Sequence, residues 1–506
     1  MPTSDTVLVV GAGPTGLVLA LWLTRQGVKV RIVDKTSEPG TTSRAMAVQA
    51  RTLELYRQLD LADAVAAAGH RIPAINLWTT GRKRATLSFG SAGRDLTPYA
   101  FLLVYPQDRH ERLLVERLRA VGVEVERQTE CLGFDDRGDH VLVQLRLPDG
   151  GTQVCEAAYI AGCDGAHSIV RHQIGAGFPG GTYDKIFYVA DVHATGPAAN
   201  GEANIALDNA DFVAWLPYDD EGRGRLIGVV GAVGDDGAER AQTLRFEDVS
   251  HRAIAGIGLE VKQVHWFSTY HVHHRVTEHY RRGRAFLVGD AAHVHSPAGG
   301  QGMNTGIGDA INLAWKLAAV LRHAAPDTLL DSYEAERRAF ALKLVETTDR
   351  VFSFVTADGS FADFVRTRVA PVVAPLAYGI DAVREYAFRM ISQAMISYHD
   401  SPISEGKAGE VRGGDRLPWV RQADNYGSLR EIAWQVHVYG MAGNALVAWC
   451  GSQGITLHHF DFGPAHEAAG LARNAAYLIR PDSYVGCADA DGRPEVFEAY
   501  LRRCLR

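Results

Sequence analysis

The first patterned segment of the chain is a strand, a glycine-rich turn and a helix in immediate succession. Residues 6–10 are apolar and mostly β-branched, the turn reads Gly11-Ala12-Gly13-Pro14-Thr15-Gly16, and leucines then recur at helical spacing. In the G-x-G-x-x-G pattern the first glycine permits a tight turn, the second lets a pyrophosphate approach the backbone, and the third lets helix and strand pack closely. The pattern alone is weak, but this setting favours an α/β sheet that binds a dinucleotide.

A second strand supports the same interpretation. Residues 28–33 alternate in polarity and lead directly to Asp34. Asp34 follows Gly11 at about the 20-residue spacing expected of an acid that binds the ribose hydroxyls of adenosine. Two strands, the glycine turn and the acid together predict a dinucleotide site at the start of the chain.

The stretch 284–321 predicts a second strand-end site. A short apolar run, 285–288, ends in Gly289-Asp290, so a carboxylate is predicted at the carboxyl end of a buried strand, where open α/β sheets bind ligands. An ionised Asp290 can only accept hydrogen bonds, which suits a hydroxyl-rich ligand such as a ribityl or ribose chain.

A glycine-rich loop, 298–304, follows this strand. A helix is predicted to begin near Thr305, because small and apolar residues recur every three or four positions as far as Leu321. The positive end of that helix would stabilise the N1–C2=O edge of a flavin, which becomes anionic on two-electron reduction. The glycines taken alone are equally typical of an ordinary βα turn.

Three other polar residues have both a functional and an ordinary interpretation. Arg44 could reach a pyrophosphate or a flavin, or it could be a solvated loop arginine. Gln107 stands near a predicted helix start, where it could bind a polar ligand chain or cap the helix. Asp164 follows the apolar run 159–163, as a second strand-end acid or as part of a common Asp-Gly turn.

The middle of the chain predicts two groups of strands. Segments 123–126, 141–145 and 152–154 alternate in polarity and are predicted to form hairpins, with Asp149-Gly150 as a turn. From 186 to 274 the sequence consists of spaced β-branched and aromatic runs. This texture predicts a mostly antiparallel sheet that forms the wall of a substrate pocket.

Three histidines near the end of that segment do not predict a metal site. His271 and His273 share one face of a strand, whereas His274 points away from it. One histidine contacting a substrate is the alternative. Beyond residue 420, strands alternate with helices and predict a small α/β domain, in which disulfide exchange is not expected because C-x-x-C is missing.

Composition narrows the class of protein further. A chain of 506 residues is long enough for about three domains. Its 22% charged residues and net charge of −7 favour neither nucleic acid nor an anionic membrane as a partner. The six cysteines have no metal-ligand or disulfide spacing, and there is neither a signal-peptide pattern nor a long apolar run. We expect a cytoplasmic protein, either monomeric or homodimeric.

Taken together, these segments make the chain resemble the class A flavoprotein monooxygenases, a family of FAD-dependent aromatic hydroxylases. Three motifs stand in that family's order and approximate spacing: GAGPTG with Asp34, CDGAHSIVR at 163–171, and FLVGDAAHVHSPAGGQGMNTGIGDAINLAWKL at 286–317. The tail RPDSYVGCADADG, at 480–492, resembles the thioredoxin-like domain of the phenol hydroxylase and polyketide hydroxylase branches.

The resemblance implies an α/β fold of three parts. They are a Rossmann-type FAD-binding domain at 1–180 and 275–400, an inserted, mostly antiparallel β-sheet substrate domain at 181–274, and a C-terminal thioredoxin-like α/β domain at 401–506. The implied reaction is hydroxylation of a phenolic or polycyclic, polyketide-like aromatic through a flavin C4a-hydroperoxide. FAD is the implied bound cofactor, and NADPH or NADH and O2 are consumed.

The resemblance also implies roles for individual residues. The implied FAD contacts are Gly11, Gly13, Pro14, Thr15, Gly16, Asp34, Lys35, Arg44, Gln107, Asp164, Asp290, Gly302, Met303 and Asn304. Pro297, Gly299 and Gly300 lie where the family accommodates flavin movement. The general base is unassigned, with His273, Tyr270 and Asp211 as candidates.

Two departures from the family and two other functions have to be considered. Asp34 replaces the usual glutamate, which shortens the reach to the ribose, and segment 268–270 lacks an arginine that the branch often has. One alternative is Baeyer–Villiger oxygen insertion on the same fold. The other is a non-enzymatic protein that binds protein or prenylated partners, which the intact Asp164 and Asp290 motifs disfavour.

Overall fold

The fold was obtained as a computed structural model that describes residues 5–40, 45–89, 93–208, 211–230, 244–249, 251–296, 300–356 and 381–505. Three residues with predicted roles, Arg44, Pro297 and Gly299, lie outside these ranges, as does the side chain of Asp211. The sequence is also rich in helix-forming residues at 361–390, and of that stretch only the part from 381 onward is described.

The strands follow in chain order. They are β1 (Thr6–Val10), β2 (Lys29–Val33), β3 (Ala47–Val48), β4 (His70–Ile72), β5 (Ala74–Thr79), β6 (Arg82–Ser88), β7 (Leu102–Val104), β8 (Val125–Glu126), β9 (Glu130–Asp136), β10 (Val141–Arg146), β11 (Thr152–Ala157), β12 (Tyr159–Gly162), β13 (Gly180–Thr195), β14 (Ala203–Asp208), β15 (Asp211–Pro217), β16 (Arg223–Val230), β17 (Glu260–Val276), β18 (Arg281–Arg282), β19 (Ala285–Leu287), β20 (His293–Val294), β21 (Glu405–Ala408), β22 (Val411–Arg412), β23 (Gln435–Tyr439), β24 (Thr456–Phe460), β25 (Ala476–Ile479) and β26 (Val485–Asp489).

The α-helices lie between and after these strands. They are α1 (Pro14–Arg25), α2 (Ala50–Arg57), α3 (Ala62–Ala68), α4 (Gln107–Ala120), α5 (Ile169–Gln173), α6 (His251–Gly256), α7 (Gly302–Leu321), α8 (Asp331–Thr356), α9 (Asp381–Ile391), α10 (Asn444–Gln453), α11 (Pro464–Ala468) and α12 (Pro494–Leu505).

A six-stranded sheet organises the first part of the fold. Its strand order is β18-β19-β12-β1-β2-β8, and every neighbouring pair is parallel except β18 and β19. Helix α1 starts at Pro14, because a proline at the first helical position has no lost hydrogen bond, and it packs against α4 and α7. The predicted α/β sheet with a glycine turn after its first strand is confirmed.

One predicted hairpin strand is wrong. Segment 123–126 contains β8, which pairs in parallel with β2 at the edge of the six-stranded sheet instead of turning back on β9. The side chains of the two strands also bond to each other, because the Arg31 guanidinium donates two hydrogen bonds of 2.7 Å to the Glu126 carboxylate. The other two predicted strands, β10 and β11, do form a hairpin with each other, and β10 also pairs antiparallel with β9.

An eight-stranded sheet forms the second layer. Its order is β20-β17-β13-β16-β15-β14-β5-β6, and all neighbours are antiparallel except β14 and β5. The antiparallel character predicted for 186–274 is confirmed. The sheet also takes in β5 and β6 from much earlier in the chain, which the sequence did not indicate.

The C-terminal part forms a third sheet with the order β22-β21-β26-β25-β23-β24. Strands β23 and β24 are parallel, β25 is antiparallel to β23, and β26 is antiparallel to β25. Helices α10, α11 and α12 follow β23, β24 and β26 in the chain, so the predicted α/β character of this segment is confirmed.

All six cysteines are free. Within the described ranges, no helix combines the length and the apolar character that crossing a bilayer requires.

The buried histidine of the third sheet predicts an acid-sensitive fold. Burial, with a smaller effect of His458, lowers the pKa of His437 from 6.5 to about 3, so between these values the unfolded chain binds a proton that the folded chain does not. The free energy of unfolding should therefore fall by about 1.4 kcal/mol per pH unit from this residue as pH drops below 6.5.

We expect His437→Gln to reduce the pH dependence of denaturant unfolding by about one proton between pH 6.5 and 4. The exposed His459 on the next strand offers a matched control, His459→Gln, which should keep the wild-type slope. Equal slopes in the two variants would contradict the assignment.

Candidate active site

The carboxyl ends of three neighbouring parallel strands meet at one edge of the six-stranded sheet. Backbone hydrogen bonds of 2.8 Å from Cys163 N to Val10 O and of 2.9 Å from Val288 N to Gly162 O continue the pairing just past the ends of β1, β12 and β19. The glycine turn, the Asp164 turn and the Asp290 turn therefore lie side by side, and each follows a strand, as the sequence predicted. Such an edge is where open α/β sheets bind ligands.

The glycine turn after β1 combines two closely packed glycines with one open position. Gly11 has a φ of +104°, and a Cβ there would lie 2.3 Å from the Cys163 carbonyl oxygen. A Cβ on Gly16 would lie 2.0 Å from the Gly11 carbonyl oxygen. At Gly13, by contrast, no described atom lies within 4 Å of an added Cβ. Two glycines are thus required by packing, and the third leaves open space above the start of α1, where an anion is stabilised.

Thr15 joins this turn to the other two motifs. A Cβ on Gly289 would approach the Thr15 hydroxyl oxygen to 2.7 Å, and one on Gly306 would approach it to 2.3 Å. Both glycines are therefore needed for α1, the Asp290 turn and α7 to touch at one point. Pro14 and Thr15 lie where the sequence placed cofactor contacts.

Asp34 is held rigidly at the end of β2. Its Oδ2 accepts a hydrogen bond of 2.6 Å from Ala12 N, and its Oδ1 accepts bonds of 2.8 and 2.7 Å from the backbone and hydroxyl of Thr36. Arg127 Nη1 lies 3.8 Å from Oδ2. The predicted ribose acid thus faces the glycine turn, and the neighbouring Lys35 is exposed.

Asp164 presents a free acceptor at the end of β12. Its Oδ2 accepts a hydrogen bond of 2.7 Å from Ile169 N, whereas its Oδ1 is buried without a hydrogen-bond partner among the described residues. Burial raises the pKa of this carboxyl, and hydrogen bonds from Ser168 and the following backbone oppose that effect. A buried acceptor without a partner is costly, so this atom fits a ligand that donates a hydrogen bond.

Arg171 connects the two strand-end acids. Its Nη2 donates to Ala166 O at 2.6 Å in the Asp164 turn, and its Nη1 donates to Ala291 O at 2.9 Å beside Asp290. The guanidinium also stacks on the Phe178 ring, 4.0 Å from its centroid. Arg171 is the last residue of the CDGAHSIVR motif, and the sequence did not predict a role for it. Asp290 itself is exposed at the strand edge, on a 3₁₀ turn, Gly289–Ala291.

The predicted flavin loop leads into α7, which begins at Gly302, three residues before the predicted start near Thr305. No described side chain caps its first turn, so the helix start is open to a ligand. Gly300 has a φ of +62° and a Cβ there would meet Ala47, while Met303 is half-buried against the core of the first sheet.

Both the oxygen and the nitrogen of the Asn304 side-chain amide make hydrogen bonds within the protein. Its Oδ1 accepts from Gln49 N at 2.9 Å and from the Thr52 hydroxyl at 2.7 Å. Its Nδ2 donates to Ala47 O at 2.9 Å and to Gly300 O at 3.0 Å. Any cofactor contact of Asn304 would therefore come from its backbone N–H.

Asp309, one turn further along α7, was missed by sequence reasoning. Its Oδ1 accepts a 2.6 Å hydrogen bond from Arg337 Nε, and its Oδ2 lies 2.7 Å from His293 Nε2 and 3.1 Å from Gly289 N. Burial raises the pKa of this carboxyl, but Arg337 and His293 outweigh burial and leave the pKa lowered. The one acidic residue of a mostly small and apolar helix was the signal available in the sequence.

Gln107 stands at the first position of α4, as predicted. Its Nε2 donates a 2.6 Å hydrogen bond to Glu111 Oε1, and Glu111 also accepts from Gly40 N at 3.2 Å. Burial raises the pKa of the Glu111 carboxyl, with opposing hydrogen bonds from Gln107 and Gly40. The Gln107 side chain is therefore connected, through Glu111, to Gly40 in the segment that follows β2.

The eight-stranded sheet contributes an aromatic face. Tyr270 and Phe187 pair across β17 and β13, with ring centroids 5.8 Å apart, and Val229 and Val272 pack beside them. His273 does not share this environment: it is exposed, and its Nδ1 lies 2.7 Å from the Thr182 hydroxyl. Of the two candidate bases with described side chains, Tyr270 belongs to the aromatic face.

A basic cluster lies where β17 approaches the Asp164 turn. Burial, followed by Arg275, His271, His167 and His274, lowers the pKa of His273. Three buried nitrogens of this cluster, Nε2 of His271, Nδ1 of His274 and Nε of Arg275, have no hydrogen-bond partner among the described residues. The histidines are not gathered as metal ligands in the part of the chain that the structure describes.

Residues 4–348 match the model of a family described as "FAD binding domain". The matched segment contains all three strand-end motifs, the first six-stranded sheet and the eight-stranded sheet. The chain belongs to the class A flavoprotein monooxygenases. FAD is the cofactor that this family binds, and the open space at Gly13, the unpartnered Asp164 oxygen and the uncapped start of α7 all fit it.

Two curated relatives and one solved structure illustrate the family. The chain is 36% identical to a 6-methylpretetramide 4-monooxygenase of Streptomyces rimosus, with 95% of this chain and 90% of the relative covered. It is 30% identical to a pentachlorophenol 4-monooxygenase of Sphingobium chlorophenolicum, with 98% and 97% covered. The anhydrotetracycline hydroxylase OxyS of Streptomyces rimosus superposes with a TM-score of 0.77, at 28% identity and with 99% and 98% covered.

The second and third glycines of the turn, Gly13 and Gly16, provide a matched test of the flavoprotein's cofactor site. Gly13→Ala should leave the apoprotein folded, because its Cβ enters open space, but should weaken FAD binding by tenfold or more, about 1.4 kcal/mol, by filling the pyrophosphate position. Gly16→Ala should instead destabilise the fold itself, since its Cβ clashes with the Gly11 carbonyl.

The measurements are FAD titration by fluorescence quenching and thermal unfolding of both apoproteins. Unchanged FAD affinity in folded Gly13→Ala would place the pyrophosphate elsewhere.

Proposed function

We propose that this flavoprotein is an NAD(P)H-consuming monooxygenase that hydroxylates a phenolic or polycyclic, polyketide-like aromatic by the flavin and oxygen chemistry that the resemblance implies. The observation that carries the proposal is that the family match over residues 4–348 contains both the three-motif FAD site and the aromatic face of the eight-stranded sheet. The names of the reported relatives, which describe enzymes acting on tetracycline-type aromatics and on a chlorinated phenol, support the substrate class.

We assign the FAD contacts to four groups of residues. The turn around Gly13 and the start of α1 would hold the pyrophosphate, and Asp34 with Lys35 would lie at the adenosine end. Asp164, through its unpartnered Oδ1, and Asp290 would accept hydrogen bonds from the ribityl hydroxyls. Backbone N–H groups of Gly302, Met303 and Asn304 would face the N1–C2=O edge of the flavin ring.

The basic cluster beside the Asp164 turn supports the use of a nicotinamide co-substrate. NADH and NADPH carry a pyrophosphate, and cationic or donor nitrogens bind such groups. His271, His274 and Arg275 present buried nitrogens that no other described group satisfies, and His167 lies on the adjoining turn. We therefore propose that this cluster binds the pyrophosphate of the nicotinamide co-substrate.

Substrate would lie against the aromatic face around Tyr270 and Phe187, which excludes water and stacks on a planar ring. Tyr270 is the proposed partner of the substrate hydroxyl, because His273 is exposed and hydrogen-bonded to Thr182. Loop residues 297–300, including Pro297, Gly299 and Gly300, are proposed to accommodate the flavin as the ring moves.

We also propose that the chain forms three domains, at 1–180 with 275–400, at 181–274 and at 401–506. We assign the C-terminal segment to the thioredoxin-like class, because its β-α-β-α-β-β-α order and its sheet order β24-β23-β25-β26 are typical of that class. Its cysteines, Cys450, Cys487 and Cys504, are buried, and burial raises their thiol pKa values, so we expect no thiol–disulfide chemistry there. Free thiols also favour the proposed cytoplasmic location.

Anaerobic stopped-flow reduction of the holoenzyme tests the reaction. We expect NADPH or NADH to bleach the flavin absorbance slowly alone and at least tenfold faster with one member of a panel of phenols and polycyclic quinones, because aromatic binding completes the site. In air that compound should gain one oxygen as a ring hydroxyl, identified by NMR. A ring-expanded lactone would instead establish Baeyer–Villiger chemistry, and a flavin that neither nicotinamide reduces would overturn the proposal.

Arg275 separates nicotinamide binding from FAD binding. Arg275→Ala should raise the KM for NAD(P)H about tenfold and leave the FAD content unchanged, because a charged contact to a phosphate is worth about 1.5–3 kcal/mol. Lys262→Ala, at the exposed far end of β17, is the control and should keep the wild-type KM. Loss of FAD from Arg275→Ala would show that the cluster serves FAD instead.

A further inference from the structure

The turn between β25 and β26 reaches out of the C-terminal sheet and into the flavin-binding part of the protein. It consists of residues 480–484, and Arg480, Asp482 and Ser483 are all at least 98% buried. The turn is closed by hydrogen bonds of 2.8 Å from Arg480 N to Tyr484 O and of 2.9 Å from Ser483 N to Arg480 O. Buried polar groups at the tip of a turn need partners, and these lie on other elements.

The first set of partners lies on α7 and α8. The Trp315 indole Nε1 donates to Asp482 Oδ2 at 3.0 Å. Arg480 donates to both oxygens of Glu336, at 2.7 and 3.0 Å, and Lys316 donates to Glu336 at 2.9 Å. Helix α7 therefore bonds to the turn directly, through Trp315 and Asp482, and indirectly, because Lys316 and Arg480 both bond to Glu336 on α8.

The second set of partners lies on α2. Arg51 Nη2 donates to the Asp482 carbonyl at 3.0 Å and to the Ser483 hydroxyl at 2.9 Å. The next residue, Thr52, donates its hydroxyl to Asn304 Oδ1 at 2.7 Å, and Asn304 in turn holds Gly300 O at 3.0 Å. A continuous chain of contacts thus runs from the C-terminal turn to the loop and first turn of α7.

The charges of this assembly balance. Lys316 and Arg480 face Glu336 and Asp482, and all four are at least 98% buried. Buried ion pairs add little net stability compared with apolar packing, but their geometry is directional, and breaking one partner is costly. Such a network therefore holds α7 in one position better than an apolar contact would.

We propose that the 480–484 turn is a positioning element for the flavin-binding end of α7, with Asp482 and Arg480 as its positioning residues. The C-terminal domain then serves the reaction by fixing where the N–H groups of Gly302 to Asn304 point. The inference rests on the proposed placement of the flavin ring at that helix start. Because the helix start favours the anionic reduced flavin, loosening it should weaken binding of reduced FAD more than of oxidised FAD.

Two tryptophans allow a matched test in the full-length protein. Trp315→Phe removes the indole N–H that donates to Asp482. Trp449→Phe removes a similar hydrogen bond of 3.1 Å, from α10 to Glu498 on α12, both within the C-terminal segment. We expect Trp315→Phe to raise the Kd for oxidised FAD about threefold and that for reduced FAD about tenfold, measured by titration and by the flavin midpoint potential. Trp449→Phe should match the wild type in both.

A second variant guards against a general loss of stability. Ser483 has a φ of +64°, a conformation that suits glycine, so Ser483→Gly should keep the fold while removing the hydroxyl that Arg51 contacts. The same unequal loss of oxidised and reduced FAD affinity is expected. Trp315→Phe and Ser483→Gly proteins with wild-type values of both constants would overturn the inference, whatever their melting temperatures. Wild-type protein that binds no FAD would instead overturn the proposed function.

Discussion

One buried carboxylate, that of Asp309, holds the active-site edge together. It accepts hydrogen bonds from the backbone of the Asp290 turn, from His293 and from Arg337, and Arg337 also donates to Thr305 O and to the Tyr398 hydroxyl. An ionised group without these partners could not remain in the interior, since burying an uncompensated charge costs several kcal/mol. The position of α7 relative to the strand end is therefore set by charge pairing as well as by apolar packing.

The parts of the site that could be predicted from sequence are those that local chemistry determines. Gly16 is required by its contact with the nearby Gly11 carbonyl, Gly11 takes the positive φ of a tight turn, and a strand that ends in an acid reveals both Asp164 and Asp290. Parallel pairing then brings the ends of separate strands together, because carboxyl ends in such a sheet share an edge. Pattern and topology were sufficient to place the glycine turn and both acids at that edge.

The remainder depends on pairing between residues far apart in the chain, which periodicity cannot reveal. Alternating polarity in β8 fits a hairpin as well as a parallel edge strand, so its partner was predicted wrongly. The hydrogen bonds from Thr52 to Asn304 and from Arg480 to Glu336 join segments more than a hundred residues apart. The start of α7 at Gly302 also escaped prediction, since the apolar pattern does not mark the residue at which a helix begins.

The order of strands in the first sheet has a consequence for biosynthesis. Strand β1 pairs with β12, and β12 with β19, so the sheet is incomplete until the ribosome has passed Leu287. Strand β5 likewise waits for β14 before its open edge is covered. The nascent chain therefore carries unpaired strand edges through more than half of its synthesis, a state that invites aggregation and chaperone binding. FAD can assist folding only late, when all three strand ends exist.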